Sequence, residues 1–139
     1  MRFWILFILL LGRSALAADV EGMWKTSSLD KENPQAIIKL FVDHGILYGE
    51  VVEILDSKRQ GLTCTRCLAN KKDQPLVGMV VLWKYKLKDD VWDLGRLLNP
   101  ADGKIYASRI RMISQDTLEI VGYKGLEFFG ETYTWTRVQ

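Results

Sequence analysis

Short runs of β-branched and aromatic residues recur along the chain, and apolar and polar positions alternate within most of them. This alternation is typical of β-strands, and helical periodicity is nearly absent. Because most connections are short, consecutive strands should pair antiparallel in an up-and-down meander. The predicted strands are 22–26, 36–43, 46–55, 76–86, 91–98, 104–113, 117–123 and 131–138.

The segments between these runs carry turn signals. His44-Gly45 predicts a two-residue hairpin in which glycine takes a positive φ. Residues 99–103 combine a proline with Asp-Gly, which favours a reversal, and 89–90 and 114–116 are polar breaks. The long polar interval 56–75 predicts a functional loop or a lid, since loops of this length are uncommon in compact domains.

The two ends of the strand series carry matching signals. The first strand contains Gly22 and Trp24, and the last contains Trp135 and Arg137. We expect these strands to pair and close the sheet, with the arginine cation stacked over an indole as a purely structural contact. The predicted fold class is therefore all-β, an eight-stranded antiparallel up-and-down barrel.

Alternation also predicts which side chains face the barrel interior. Arg109 and Arg111 should face solvent, and Lys84 and Lys86 should mark the outer face of the fourth strand. Leu94 is expected to face inward on the fifth strand. The resulting inward set either fills the core or lines a pocket for a small ligand, and eight strands permit both. Its candidate ligand-binding members are Met79, Trp83, Tyr85, Trp92, Tyr106, Ser108, Ile110 and Met112.

The first 17 residues have the pattern of a secretory signal peptide. Arg2 precedes nine uninterrupted apolar residues, and Ala15 and Ala17 supply the small side chains of a cleavage site. Nine apolar residues are too few to span a bilayer, which needs about 20. We therefore expect a signal peptide over 1–17 and one domain over 18–139, with no membrane span after cleavage.

Charge balance excludes one class of partner. The chain has 19 basic and 17 acidic residues, and Arg2 and Arg13 of the predicted signal peptide account for the difference. A neutral domain has no general attraction for phosphate backbones, so we expect no nucleic-acid partner.

Cys64 and Cys67 are the only cysteines. In an exported protein they should form a disulfide, which would staple the long loop locally. A redox dithiol is a weaker alternative because no helix is signalled after Cys67 to lower a thiol pKa. A zinc site would need two further ligands.

Catalytic signals are poor elsewhere. The only histidine, His44, is placed in a hairpin turn, and no nucleophile motif accompanies it. The pair Asp89-Asp90 also lies in a turn and is expected to be solvated.

Taken together, these motifs resemble a family of small secreted bacterial proteins known as a domain of unknown function, whose known members have a lipocalin-like (calycin-like) barrel. The resemblance covers nearly the whole segment after the signal peptide and implies fold and compartment, but no activity. Its residues are Gly22 and Trp24, Leu47-Tyr48-Gly49, Cys64 and Cys67, Pro75 to Gly78, Asn99-Pro100, Gly103, Lys104 and Tyr106, Gly122-Tyr123, Gly130, and Trp135 with Arg137.

The leading functional hypothesis is a periplasmic or secreted bacterial protein that binds a small apolar or amphipathic molecule, without catalysis or a cofactor. One competing hypothesis is an envelope protein-interaction module with a solid barrel. The other is a thiol-disulfide redox protein that acts through Cys64 and Cys67.

The exported protein should begin at Ala18, because Ala15 and Ala17 present the small residues that signal peptidase requires. N-terminal sequencing of protein recovered from the envelope or medium tests this, and retention of Met1 would contradict it.

Overall fold

The computed structural model describes residues 20–28, 32–123 and 130–139. Over these ranges the chain forms a closed antiparallel barrel in which the strands follow one another in sequence order and the last returns to the first. The predicted fold class is confirmed. The strands are β1 (Gly22–Lys25), β2 (Ala36–Asp43), β3 (Ile46–Ile54), β4 (Val80–Lys88), β5 (Val91–Asn99), β6 (Lys104–Ser114), β7 (Thr117–Tyr123) and β8 (Gly130–Arg137).

One short 3-10 turn, Ala69–Lys71, is the only helical element in the described ranges. None of the described helices is long and apolar enough to cross a membrane. The predicted signal peptide over 1–17 lies outside the described residues.

The two ends of the barrel differ in their connections. At one end, called the base here, the strands join through the two-residue turns 44–45, 89–90 and 115–116. His44 and Gly45 both have positive φ (49° and 77°), which fits the right-handed twist of a tight hairpin. The longer connections, as far as the structure describes them, leave from the opposite end, called the open end.

The barrel closes where β1 meets β8, with Trp24 directly opposite Arg137. The guanidinium carbon of Arg137 lies 4.2 Å from the centroid of the Trp24 ring, and Trp24 is fully buried. Arg137 also donates from Nε to the Gln115 carbonyl oxygen (2.7 Å) and from Nη1 to the Glu21 carbonyl oxygen (2.9 Å). One side chain thus links the first strand, the last strand and a base turn.

Gly22 is required beside this arginine for two reasons. Its φ of 133° is one that side chains rarely adopt, and a Cβ there would stand 2.9 Å from Arg137 Nη1. The glycine of the Gly-x-Trp motif in β1 therefore leaves the space that the guanidinium occupies.

Strands β4 and β5 depart from simple alternation. Leu47 and Gly49, two residues apart on β3, pair with Tyr85 and Leu82, which are three apart on β4. The extra residue is a β-bulge, and Lys84 within it has a φ of 67°.

A second bulge, in β5, faces the first. Leu94 has a φ of 60° and is 64% exposed, so the prediction that it faces inward is wrong. The predicted inward orientation of Trp83 is also wrong. Its neighbour Leu82 points inward with Gly49, and the Trp83 ring lies beneath Lys71 of the long loop, whose Nζ is 5.2 Å from the ring centroid.

The fourth strand begins at Val80 rather than at residue 76. Leu76 instead donates its backbone N–H to the Leu62 carbonyl oxygen within the long loop (3.0 Å), and Gly78 has a φ of 91°, which interrupts an extended strand. Residues 76–79 therefore belong to the connection between β3 and β4.

Tyr85 packs its ring directly on the backbone of Gly95. A Cβ at Gly95 would lie 2.0 Å from Tyr85 Cε1, so this contact exists only because β5 has a glycine there. The two bulges and this glycine together seat a fully buried tyrosine inside the barrel.

The long loop is folded back onto the barrel and contains the predicted disulfide between Cys64 and Cys67. Both cysteines are buried. Thr63 and Pro75 form an isolated β-bridge, which brings these two parts of the loop together. The Arg66 carbonyl oxygen would lie 1.9 Å from a Cβ at Gly103, so the loop also docks tightly on the turn between β5 and β6.

Replacing Arg137 by Lys should lower the free energy of unfolding by about 1–3 kcal/mol, because an ammonium cannot stack and donate in two directions as the guanidinium does. Chemical denaturation measures the change. Arg111→Lys is the matched control, since Arg111 is exposed and its only described ion pair is a 3.5 Å contact with Glu119. The control should change stability by no more than about 0.5 kcal/mol. Equal effects of the two substitutions would contradict a closing role for Arg137.

Gly95→Ala should destabilise the barrel by about 1–3 kcal/mol, because the new methyl group overlaps the Tyr85 ring. Gly61→Ala is the control, as a Cβ there meets nothing within 4 Å. Thermal melts of both variants test this. The Tyr85→Leu change should restore part of the loss in the Gly95→Ala background, and a stable Gly95→Ala variant would show that the contact is not tight.

Candidate functional site

A cavity of about 130 Å³ lies inside the open end of the barrel. Its walls are mostly aliphatic and come from almost every strand, because inward-facing residues near the open end converge there. Trp135 of β8 and Leu76 of the long loop complete it. The main apolar wall residues are Ile38, Val51, Val81, Leu97, Ile120 and Trp135.

Polar side chains are concentrated at the mouth of this cavity. Asn33, before β2, donates from Nδ2 to Oδ1 of Asn99 at the end of β5 (2.8 Å), so an amide hydrogen bond spans the opening. The Tyr106 hydroxyl donates to Asp102 and the Tyr133 hydroxyl donates to Glu131. The site is thus an apolar chamber with a hydrogen-bonded polar rim, the usual composition of small-ligand pockets.

The predicted ligand-binding residues are distributed differently from what alternation indicates. Of the eight, only Tyr106 lies on the cavity wall. Trp83 is on the outer face, and the others are buried or half-buried outside the wall: Met79, Tyr85, Trp92, Ser108, Ile110 and Met112.

The wall residues that sequence reasoning missed share a simple property. Val51, Leu97 and Ile120 are aliphatic residues on three different strands, β3, β5 and β7, and all border the cavity. The sequence pattern favours aromatic residues as pocket residues, but in the structure several of them pack nearer the base.

Two hydroxyl groups, on Tyr85 and Ser108, are buried in the barrel interior. Tyr85 is fully buried and Ser108 is 2% exposed, and within the described part of the chain the Ser108 hydroxyl is the side-chain hydrogen-bonding group beside the Tyr85 hydroxyl. Burial raises the pKa of Tyr85 well above its ordinary value. A hydrogen bond to the Ser108 side chain and the charge of the Arg96 guanidinium offset this only in part, so the phenol stays neutral.

The only histidine of the sequence lies away from the cavity. His44 is at the base, where its Nδ1 is 2.6 Å from Asp43 Oδ1 and its side chain is 95% exposed. Within the described residues no cluster of histidine, cysteine and carboxylate side chains could hold a metal ion. The arrangement at the open end can enclose an apolar group and place hydrogen-bonding side chains near a polar substituent at the mouth.

Comparison with solved structures supports the architecture. The chain is similar to protein HP1028 from the human pathogen Helicobacter pylori, which is described as belonging to the lipocalin family, with a TM-score of 0.75 and 21% sequence identity. The match covers 86% of this chain and 82% of that one. At this identity the similarity establishes the fold alone.

Sequence comparison gives a family. No curated protein matches the chain significantly. The profile of a family described as "Uncharacterized protein conserved in bacteria" matches residues 22–137, which includes every strand of the barrel. The chain belongs to this family, DUF2147.

Proposed function

We propose that this protein is an exported bacterial barrel that binds one small, largely apolar molecule in the cavity at its open end and performs no catalysis. The observation that carries the proposal is the apolar chamber of about 130 Å³ with a polar rim. Enclosed apolar cavities of about 150 Å³ in other proteins take up benzene or xenon, so the volume suits a single ring or a short chain.

Export is supported by two independent features. The signal-peptide pattern over 1–17 directs a chain out of the cytoplasm, and a disulfide such as Cys64–Cys67 persists in oxidising compartments. The periplasm or the extracellular medium is the proposed location.

The burial of the disulfide favours a structural role over thiol chemistry. Cys64 and Cys67 are 1% and 2% exposed, whereas reactive cysteines need access to their partners. We assign the disulfide to holding the long loop, which contributes Leu76 to the cavity wall.

The cavity can be tested with two neighbouring isoleucines. Ile110 and Ile120 are cross-strand partners with almost no exposure, but only Ile120 lines the cavity. Ile120→Trp should place its extra volume in the empty space, keep most of the stability and block binding of toluene. Ile110→Trp has no such space and should destabilise the barrel by about 1–3 kcal/mol.

Toluene binding is measured by NMR titration and by the rise in melting temperature that a ligand of the folded state produces. If the parent protein does not bind toluene, and both variants lose equal stability, the interior is solid. The result would then favour the alternative of an envelope protein-interaction module.

A further inference from the structure

One side of the barrel concentrates positive charge. The neighbouring strands β4, β5 and β6 carry seven basic residues and a single acidic one, Asp93. The segment after the predicted signal peptide contains equal numbers of basic and acidic residues, so this excess is local to these strands. Six of the basic side chains are exposed: Lys84, Lys86, Lys88, Lys104, Arg109 and Arg111.

Aliphatic side chains are exposed among these cations. They are Leu87 (38% exposed), Leu94 (64%), Ile105 (54%) and Ile113 (54%). A single exposed aliphatic residue is normal on a protein surface, but four of them on three adjacent strands form an amphipathic surface with the lysines and arginines. We call the outward-facing residues of β4, β5 and β6 the basic wall.

Leu94 lies near the middle of the basic wall, and the backbone holds it outward. Its φ of 60° is in the left-handed region, which asparagine and glycine adopt more readily than leucine. Its backbone N–H donates to Asp93 Oδ1 (2.8 Å), which stabilises the bulge. Arg109 of β6 faces Asp93 and Leu94 from one side, and Lys84 lies in the facing bulge of β4.

Folding alone gives no reason for leucine at this position. The side chain is mostly exposed, so it gains little from burial within the chain, and its backbone conformation favours a smaller or more polar residue. Strained residues and grouped apolar side chains on a surface are both typical of interaction sites. Leu94 therefore points to a partner that covers the basic wall.

Charge and shape together restrict the class of partner. Lysine and arginine attract phosphate groups, and their effect is strongest close to an anionic surface. The aliphatic residues are scattered between the cations and do not form a groove. A fluid layer of phospholipids can receive separate aliphatic side chains between its headgroups while its phosphates contact the neighbouring cations.

We propose that the basic wall binds peripherally to a membrane surface containing anionic phospholipid, with Leu94 inserted between the headgroups and Lys84 and Arg109 beside phosphate groups. This interaction goes beyond the binding of a small molecule in the cavity. It does not depend on that function, because the basic wall faces outward and the cavity lies inside the barrel.

The test uses protein recovered after export and measures its co-sedimentation with lipid vesicles. The parent should bind vesicles made of equal parts phosphatidylglycerol and phosphatidylcholine, and should bind pure phosphatidylcholine only weakly. Added salt should release it, because salt screens the attraction between the basic wall and the phosphates.

Two asparagine substitutions separate the apolar and the charged contributions. Leu94→Asn should weaken vesicle binding about tenfold, because it removes the inserted side chain. Lys84→Asn should weaken it about fivefold, because it removes one cation near the surface. Both positions have a positive φ, which asparagine tolerates, so thermal melts should show unchanged or higher stability.

Met23→Asn is the matched control. Met23 is 40% exposed on β1, which is four strands from β5 in either direction around the closed barrel. This substitution also exchanges an exposed apolar side chain for asparagine, but on the opposite side of the molecule. It should bind the vesicles as the parent does.

Three results would overturn the proposal. The first is a parent protein that does not bind the phosphatidylglycerol vesicles, and the second is a folded Leu94→Asn variant that binds them as tightly as the parent. The third is an equal loss of binding in Met23→Asn, since no single side of the barrel would then be responsible. Binding of the parent to polyglutamate but not to vesicles would instead assign the basic wall to an acidic polypeptide.

Discussion

A sheet becomes a barrel only if its first and last strands meet, and in this protein that junction is short because β1 has four residues. Its ladder contains the pairs Trp24–Arg137 and Lys25–Thr136. The Arg137 side chain extends the junction beyond the ladder by stacking on the indole and donating to carbonyl oxygens of two other segments. Continuity of the barrel wall, and therefore the enclosure of any interior space, depends on this contact.

The interior is divided unequally by the paired bulges at Lys84 and Leu94. They turn Tyr85 inward onto Gly95, and Trp92, Ile110 and Leu118 fill the remaining space toward the base. The chamber is consequently confined to the open end, and its volume of about 130 Å³ matches a single ring better than a long acyl chain. Its size follows from where the large side chains are placed, not from the number of strands.

Strand periodicity and turn chemistry predict most of the architecture from sequence. The turn at His44-Gly45, the reversal after Asn99 and the Trp24–Arg137 contact all depend on local signals, and the structure contains each of them. The orientation of Trp83 and Leu94 could not be predicted, because a bulge shifts every later residue to the other face and has no fixed sequence signature.

The candidate site is predicted less well than the fold for a related reason. Alternation identifies inward residues but carries no information about which of them border empty space. Ile110 and Ile120 are equivalent by pattern, yet only Ile120 borders empty space. Whether an inward position is packed or open depends on the side chains opposite it, which belong to strands that are distant in sequence.

The separation of tight turns at the base from longer connections at the open end has a consequence for divergence. The three base turns have two residues each and are coupled to strand twist, so insertions there would disturb the pairing on both sides. The open-end connections are not held to that length, so changes in them would leave the ladders in place. Exchange of these connections would therefore leave the barrel wall intact, which makes this barrel a scaffold for loop grafting.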